Sequence, residues 1–407
     1  MIKIAYVSFE YPPDTGFGGI GTYVFQASRL LAQRGNHVEV FSASLSETNS
    51  SSYEDGLWIH RIACNRENFN HKIVNCFSER HQEVKFDLLE SPEYGADGLE
   101  IARKFPRLCF VVKCHTPQFL IDRINPLPRP NFINRARILI GALRRFQSPV
   151  LQENLYRKEF DAEYQMALLA HTITSPSRSL QHIIAREWDI TPDTILIQPY
   201  PYIPMPELSS IDIQIENNKT ITFVGRLEVR KGILVLAKAI PDILKFDPKI
   251  KFNFVGTSMG SPDARYNMKE YLLKELLKYK DNLIFHGRLD LPGIAKILDK
   301  SSICIFPSIW ENFPNVCLEA MSAGRAIIGT NSGGMAEMLS DEAGVIIPPS
   351  DYKAIADAVI NLISNNNKRI DLGLNARRKI EDAYNGEVIG ALMEKQYHVI
   401  INNHGQL

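Results

Sequence analysis

Residues 307–337 read PSIWENFPNVCLEAMSAGRAIIGTNSGGMAE. The apolar run Ser301–Phe306 just ahead of them is of strand type and is ended by Pro307. A polar loop follows, with the acid Glu311 and the turn formers Asn312, Pro314 and Asn315. Val316, Leu318, Ala320, Met321 and Ala323 give the apolar side of a short helix that Gly324 stops. Ala326–Gly329 is a second buried strand, and Ser332-Gly333-Gly334 turns the chain into another helix start. Strand, helix and strand make a β-α-β unit. In open sheets of such units, ligands bind on the loops at the carboxyl ends of the strands.

Two carboxylates flank the helix of this unit. Glu311 lies in the loop, and Glu319 comes about two helical turns later. Between them the helix N-terminus offers free backbone N–H groups and the positive end of a dipole, a setting for phosphate. An acid on each side of an anion hole fits a sugar nucleotide. One carboxylate can take hexose hydroxyls and the other ribose hydroxyls, with the diphosphate between.

Glu311-x7-Glu319, then AMSAG, then Gly333-Gly334-x-x-Glu337 resembles the donor signature of retaining glycosyltransferases of family 4, which have the GT-B fold. The resemblance runs over nearly the whole chain and is sharpest at 223–232 and 307–337. It implies an α/β protein with two Rossmann-like doubly wound domains facing a central cleft. It also implies that Glu311 orients the donor hexose, that Glu319 binds ribose, and that Asn312, Phe313, Pro314, Asn315 and Val316 line the donor. A UDP-hexose is the expected donor, with glucose the working choice, and a glycan or lipid-linked saccharide of cell-surface polysaccharide or glycolipid synthesis is the expected acceptor.

Length and composition agree with such an architecture. At 407 residues the chain exceeds one ordinary core, and 45% hydrophobic content suits a globular protein. The formal net charge of zero gives no electrostatic footprint for nucleic acid. The six cysteines form no C-x-x-C pair, which fits buried thiols in a reducing cytoplasm better than zinc or disulfides. The chain opens on the strand-like MIKIAYVSF without a signal-peptide pattern, and no apolar run approaches the ~20 residues of a membrane span. The expected domains are 1–200 on the acceptor side, a linker at 201–210 in the proline-dense PYPYIPMPEL region, and 211–385 for the nucleotide sugar. Residues 386–407 then form a helix crossing back to the first domain.

In the first half, Ile2–Phe9 reads as a buried parallel strand, Thr22–Arg34 as a helix and His37–Ser42 as strand two. Between the first two lies Gly16-x-Gly18-x-x-Gly21, the dinucleotide fingerprint. The six residues separating it from the strand, and the missing acid after strand two, argue against NAD. The alternative is a glycine loop facing the cleft, where the resemblance puts Gly18 and Gly19 near the donor diphosphate. Residues 45–83 read as polar and irregular apart from a strand at Leu57–Ile62. Phe86–Leu89 and Arg107–Lys113 are further strands. His115 follows the latter at a ligand-bearing end, and the resemblance places it beside the donor hexose. Glu93 and Tyr94 are acceptor-side candidates.

In the second half, Thr220–Val224 begins a fresh sheet. Arg226 and Lys231 follow on a strand-to-helix loop, where Arg binds phosphate oxygens as a fork and Lys adds a compact charge. Arg230 is given no role. Arg288 and Leu289, after the strand at Leu283–Phe285, are expected near the nucleobase. No D-x-D occurs, so the expected chemistry needs no metal and no cofactor: fixed cations and helix dipoles would stabilise the departing diphosphate. Two other classes share parts of this pattern. One is a GT-B protein of another reaction, an epimerase or phosphorylase. The other is a binding protein that has lost activity.

Residues 119–150 hold Arg123, Arg129, Arg135, Arg137, Arg144 and Arg145 against the single acid Asp122, with an apolar side from Phe132 to Leu143. Such a stretch is either a solvated helix packed on its own domain or an interfacial helix on anionic membrane. The membrane reading predicts co-flotation with anionic but not neutral liposomes at low salt, and no flotation at low salt refutes it.

Overall fold

The computed structural model describes residues 1–16, 18–125, 156–214 and 219–404. The chain builds two sheets. The first has eight strands: β1 (Lys3–Val7), β2 (His37–Ser44), β3 (Ser50–Glu54), β4 (Leu57–Ala63), β5 (Leu88–Pro92), β6 (Cys109–Lys113), β7 (Thr172–Ser175) and β8 (Ile195–Ile197). Their order is β3-β4-β2-β1-β5-β6-β7-β8, parallel throughout except for the β3–β4 hairpin at the edge. The second has six parallel strands: β9 (Thr220–Val224), β10 (Lys251–Val255), β11 (Leu283–Gly287), β12 (Ile303–Phe306), β13 (Ala326–Thr330) and β14 (Val345–Ile347). Their order, β11-β10-β9-β12-β13-β14, is that of a doubly wound dinucleotide fold.

Both sheets reverse strand order once, at β1/β5 in the first and β9/β12 in the second. A crevice opens outside the carboxyl ends of the strands at each reversal. The loops that carry Gly18, Gly19, Glu93, Tyr94, His115, Arg226, Lys231 and Glu311 start there or at a neighbouring strand, whereas Arg288 and Leu289 follow the edge strand β11. Central strands are buried on both faces, which is why runs such as Ala326–Thr330 and Ile303–Phe306 read as continuous apolar segments.

Seven helices matter below: α1 (Gly19–Gln33), α2 (Phe69–Val84), α3 (Arg178–Trp188), α4 (Ile233–Phe246), α5 (Asn315–Ser322), α6 (Asn366–Lys379) and α7 (Gly386–His404). Two depart from the sequence reading. The stretch read as irregular contains α2, whose buried stripe Phe69, Ile73, Phe77 is diluted by polar neighbours. α6 has only four buried positions, Arg369, Leu372, Gly373 and Ala376, and its polarity hides it. The reading of a helix at Glu153–Ala170 shrinks to Ala162–Leu169, opened by Asp161 as N-cap; a single 3-10 turn, Lys158–Phe160, precedes it, and residues 153–155 lie outside the described residues. The basic stretch beyond Asn125 also lies outside them.

The last helix, α7, returns to the first sheet. Gly386 and Gly390 present a flat face to α1; a Cβ at Gly390 would stand 2.8 Å from Arg34 and 3.2 Å from Leu30. Arg34 answers with ion pairs to Glu387 and Glu394 at 2.6 and 2.9 Å. Deeper in, Tyr397 donates its hydroxyl to Glu90, a fully buried carboxyl that also accepts from Tyr23 at 2.7 Å. Among the described residues no helix is long and apolar enough to cross a membrane. Tyr397→Phe leaves the buried Glu90 short of one donor, so it should lower urea-unfolding stability by about 1–3 kcal/mol.

Candidate active site at the crevice

The loop after β9 and the loop after β12 are folded onto each other. Ile309 donates its amide to the Arg230 carbonyl at 2.9 Å. Gly232 has φ +71° and packs so closely that a Cβ would lie 1.8 Å from the Pro307 carbonyl oxygen. On the other side, Gly333 (φ +77°) bridges to Glu311, and a Cβ there would be 1.9 Å from the Glu311 carbonyl oxygen. Glycine is required at both positions by space as well as by φ.

This packing brings Glu311 against two cations. Lys231 Nζ donates to its carboxylate, and Arg230 Nη1 lies 3.2 Å away. Burial pushes the Glu311 carboxyl up, but the charges of Lys231 and Arg230 outweigh it and hold the group below its ordinary range. Arg230, which the sequence reading leaves without a role, is therefore one of the two partners of the key acid. It also pairs with Glu228 at 3.0 Å, and the more exposed Arg226 pairs with the same Glu228 at 3.2 Å. Arg226 and Lys231 thus share one loop but hold different acids.

Glu319 is in the opposite condition. It lies on α5, half-buried, and its Oε2 finds no partner among the described residues. Burial pushes its carboxyl up to about 7. α5 opens at Pro314 without a side-chain cap, so the amides of Asn315 and Val316 face forward from the helix end. The spatial order is cationic loop with Glu311, bare helix terminus, then unpaired Glu319. Arg288 and Leu289 follow β11, beside the turn where Gly256 donates its amide to the Gly287 carbonyl at 2.7 Å.

Across the crevice, His115 sits at the end of β6, 5% exposed. Its Nδ1 is 2.5 Å from the Tyr200 hydroxyl, and its Nε2 finds no partner among the described residues. Burial and the charge of Lys113 keep the ring neutral by depressing its pKa well below the ordinary value. The sequence reading puts Glu93 against the acceptor; the structure instead buries it completely beneath the His115 turn, whose amide donates to it at 2.6 Å. Burial, then the neighbouring Glu163, raises Glu93 to about 8. Tyr94 stays half-buried at the mouth, with its carbonyl bound by Arg66 at 2.8 Å.

The glycine fingerprint has its own explanation. Gly16 and Gly21 are packed against Glu10 and each other, with Cβ clearances of 2.3 and 2.5 Å. The Glu10 carboxylate accepts the Gly21 amide at 3.2 Å, so an acid of this chain stands at the amino terminus of α1. Gly18 and Gly19 remain exposed. Asn312 and Phe313 face the domain seam. Asn312 binds His115 and Ser177, and Phe313 packs edge-on to Tyr200 and Tyr384. Tyr200, Ser177 and Trp310 were not legible as site neighbours, because their partners lie far away in sequence: 85 positions for Tyr200 and His115, 135 for Ser177 and Asn312. A separate cavity of about 430 Å³, lined by His81, Lys104, Arg107 and His404 among others, opens at the amino-terminal edge of β5 and β6, away from this crevice.

Two doubly wound domains with charged loops meeting at their switch points define a GT-B protein. Sequence and structural comparisons agree. The profile of Glycosyl transferases group 1 matches residues 207–379, and that of Glycosyltransferase Family 4 matches residues 17–199. Spore coat protein SA of Bacillus subtilis is 30% identical over 391 residues, covering 94% of this chain and 96% of that protein. An uncharacterized glycosyltransferase of Methanocaldococcus jannaschii is 28% identical over 198 residues, 48% of this chain and only about half (49%) of that relative. The Anabaena protein HepE, solved in complex with UDP, superposes with a TM-score of 0.69 at 14% identity, over 98% of this chain and 100% of that one. The chain belongs to glycosyltransferase family 4, of the glycosyl transferases group 1 type, within the EC 2.4 class.

Glu319 gives a stability test. Its folded-state pKa, about 7, lies above the ordinary 4.5, so between these values the native state holds the proton more tightly and stability falls as pH rises. Glu319→Gln removes that penalty. The variant should be more stable than the parent by about 1–3 kcal/mol at pH 8, with the difference fading toward pH 4. An equal difference at both pH values would show that the carboxyl is not responsible.

Proposed function

We propose that the protein is a retaining hexosyltransferase that moves glucose from UDP-glucose to a glycan or lipid-linked saccharide. The observation that carries this reading is the charge arrangement on the second domain: cations and a paired acid on one side of the uncapped α5 terminus, an unpaired acid on the other. The diphosphate fits between them, on Arg226, Lys231 and the amides of Asn315 and Val316. Glu319, whose Oε2 has no donor among the described residues, suits the two ribose hydroxyls. Glu311, held ionised by Lys231 and Arg230, suits the hexose hydroxyls. The HepE structures with UDP and with UDP-glucose support the choice of nucleotide and sugar.

In the step itself the bond between the anomeric carbon and the phosphate oxygen breaks. The acceptor hydroxyl bonds to that carbon on the same face, and its proton passes to the departing UDP. Charge builds on the leaving diphosphate, and fixed cations with oriented amides stabilise it without reorganisation. The neutral His115 serves as a positioning group at the hexose. Gly18 and Gly19 approach the diphosphate by backbone when the domains close. The proposed chemistry uses no metal ion. Six free cysteines support a reducing, cytoplasmic site of action. Peripheral contact with anionic membrane through residues 119–150 belongs to the same reading.

The Arg226→Ala, Lys231→Ala double variant should hydrolyse or transfer radiolabelled UDP-glucose at least about 100-fold more slowly. The parent should keep its rate in EDTA. A near-parental rate for the variant, or complete loss in EDTA restored by Mg²⁺, would overturn the assignment.

A further inference from the structure

Glu311 forms an isolated bridge to Gly333, and the chain bends at Asn312 and Phe313, so Trp310, Glu311 and Asn312 send their side chains different ways. Trp310 is buried in the apolar cluster of the first domain. Glu311 turns back to Arg230 and Lys231. Asn312 turns again to the first domain, where its Nδ2 donates to the His115 carbonyl and its Oδ1 accepts from Ser177 Oγ at 2.7 Å. Asn312 is 5% exposed and both ends of its amide are used.

Glu337, the last residue of the Gly-Gly-x-x-Glu pattern, makes a second crossing. Its carboxylate accepts the amides of Arg178 and Ser179 at 2.9 Å each. These are the first amides of α3, where the dipole favours an acid. Gly334 permits the approach: a Cβ there would stand 2.7 Å from Ser177 Cβ and 2.1 Å from the Asn312 carbonyl oxygen.

We propose that Asn312 and Glu337 are positioning residues that clamp the second domain onto the His115 turn, fixing the separation of His115 and Glu311 across the crevice. This rests on the donor-site reading above. Arg226, Lys231, Glu319 and the α5 amides belong to the second domain and only the Gly18-Gly19 backbone approaches the diphosphate from the first, so loosening the clamp largely spares UDP affinity and damages the step that needs both domains.

Asn312→Asp keeps the shape and the bond to Ser177 but replaces the N–H that reaches the His115 carbonyl with an oxygen. Glu337→Gln keeps the shape and removes the charge from the α3 terminus. The readouts are UDP affinity by calorimetry, kcat for UDP-glucose hydrolysis, and hydrogen exchange at the Arg178 and Ser179 amides. The expected result is UDP affinity within about threefold of the parent, kcat lowered about tenfold or more in each variant, and exchange about tenfold faster in Glu337→Gln. Unchanged kcat in variants whose exchange is accelerated overturns the clamp, as does UDP affinity falling in step with kcat. If Asn312→Asp does not fold, Glu337→Gln carries the test alone. A parent that neither binds UDP nor hydrolyses UDP-glucose refutes the donor reading. The exchange data still judge the clamp: unprotected Arg178 and Ser179 amides in the parent, or no change in Glu337→Gln, overturn it.

Discussion

A carboxylate taken out of water costs roughly several kcal/mol unless cations and donors surround it. Glu311 is such a group, 8% exposed, and Lys231 and Arg230 meet it from another loop. That requirement organises the second domain. The two loops leave neighbouring strands, β9 and β12, whose carboxyl ends lie side by side at the switch point. Gly232 and Gly333 then remove the side chains that would hold the backbones apart. Strand order, glycine placement and the ion pair are one constraint seen at three scales.

The remaining polar groups of the crevice are not balanced in this way. Glu319 Oε2 and His115 Nε2 stand buried without partners among the described residues, although buried polar atoms are nearly always satisfied. Both carry a stability cost, seen as a raised carboxyl and a depressed imidazole. Such costs persist where a ligand supplies the missing donors and acceptors. The contrast with Glu311 separates two kinds of acid that a spacing pattern cannot tell apart: one completed by its own chain, one left open.

Much of this was legible beforehand, for a physical reason. Parallel strands buried on both faces must be apolar throughout, so the central strands announced themselves, and Gly324 (φ +63°) marked a helix end. Elements with little to bury did not. β3, Ser50–Glu54, is an edge strand of polar residues, and α2 and α6 bury a thin stripe each. At the site, Glu311, Glu319, Arg226, Lys231 and His115 stood out by residue type and by position after strands. Their states did not. Whether a carboxylate is paired depends on a residue some 80 positions away, as with Lys231 and Glu311, and no local pattern records that distance. Glu93 shows the converse error: an acid after a strand looks available, yet a fold that needs an acceptor for the His115 amide has buried it.

The buried polar groups of the first domain are joined in a similar way. β5 carries Glu90, bound by Tyr397 of α7, and just past its end stands Glu93, bound by the His115 amide. β6 carries Lys113, fully buried, whose ammonium reaches Gln198; Gln198 in turn donates to Gln396 of α7 at 3.0 Å. Two residues on from Lys113 is His115. Two hydrogen-bonded routes therefore join the returning helix to the turn that faces the second domain, each through a central strand. A lysine without a water shell favours its neutral form, and burial lowers Lys113 to about 7 against the opposing pull of Glu90. Polar groups so costly to bury are retained where they hold neighbours in one geometry. Here that geometry is the height of the His115 turn above the sheet, and the chain's last helix is what sets it from behind.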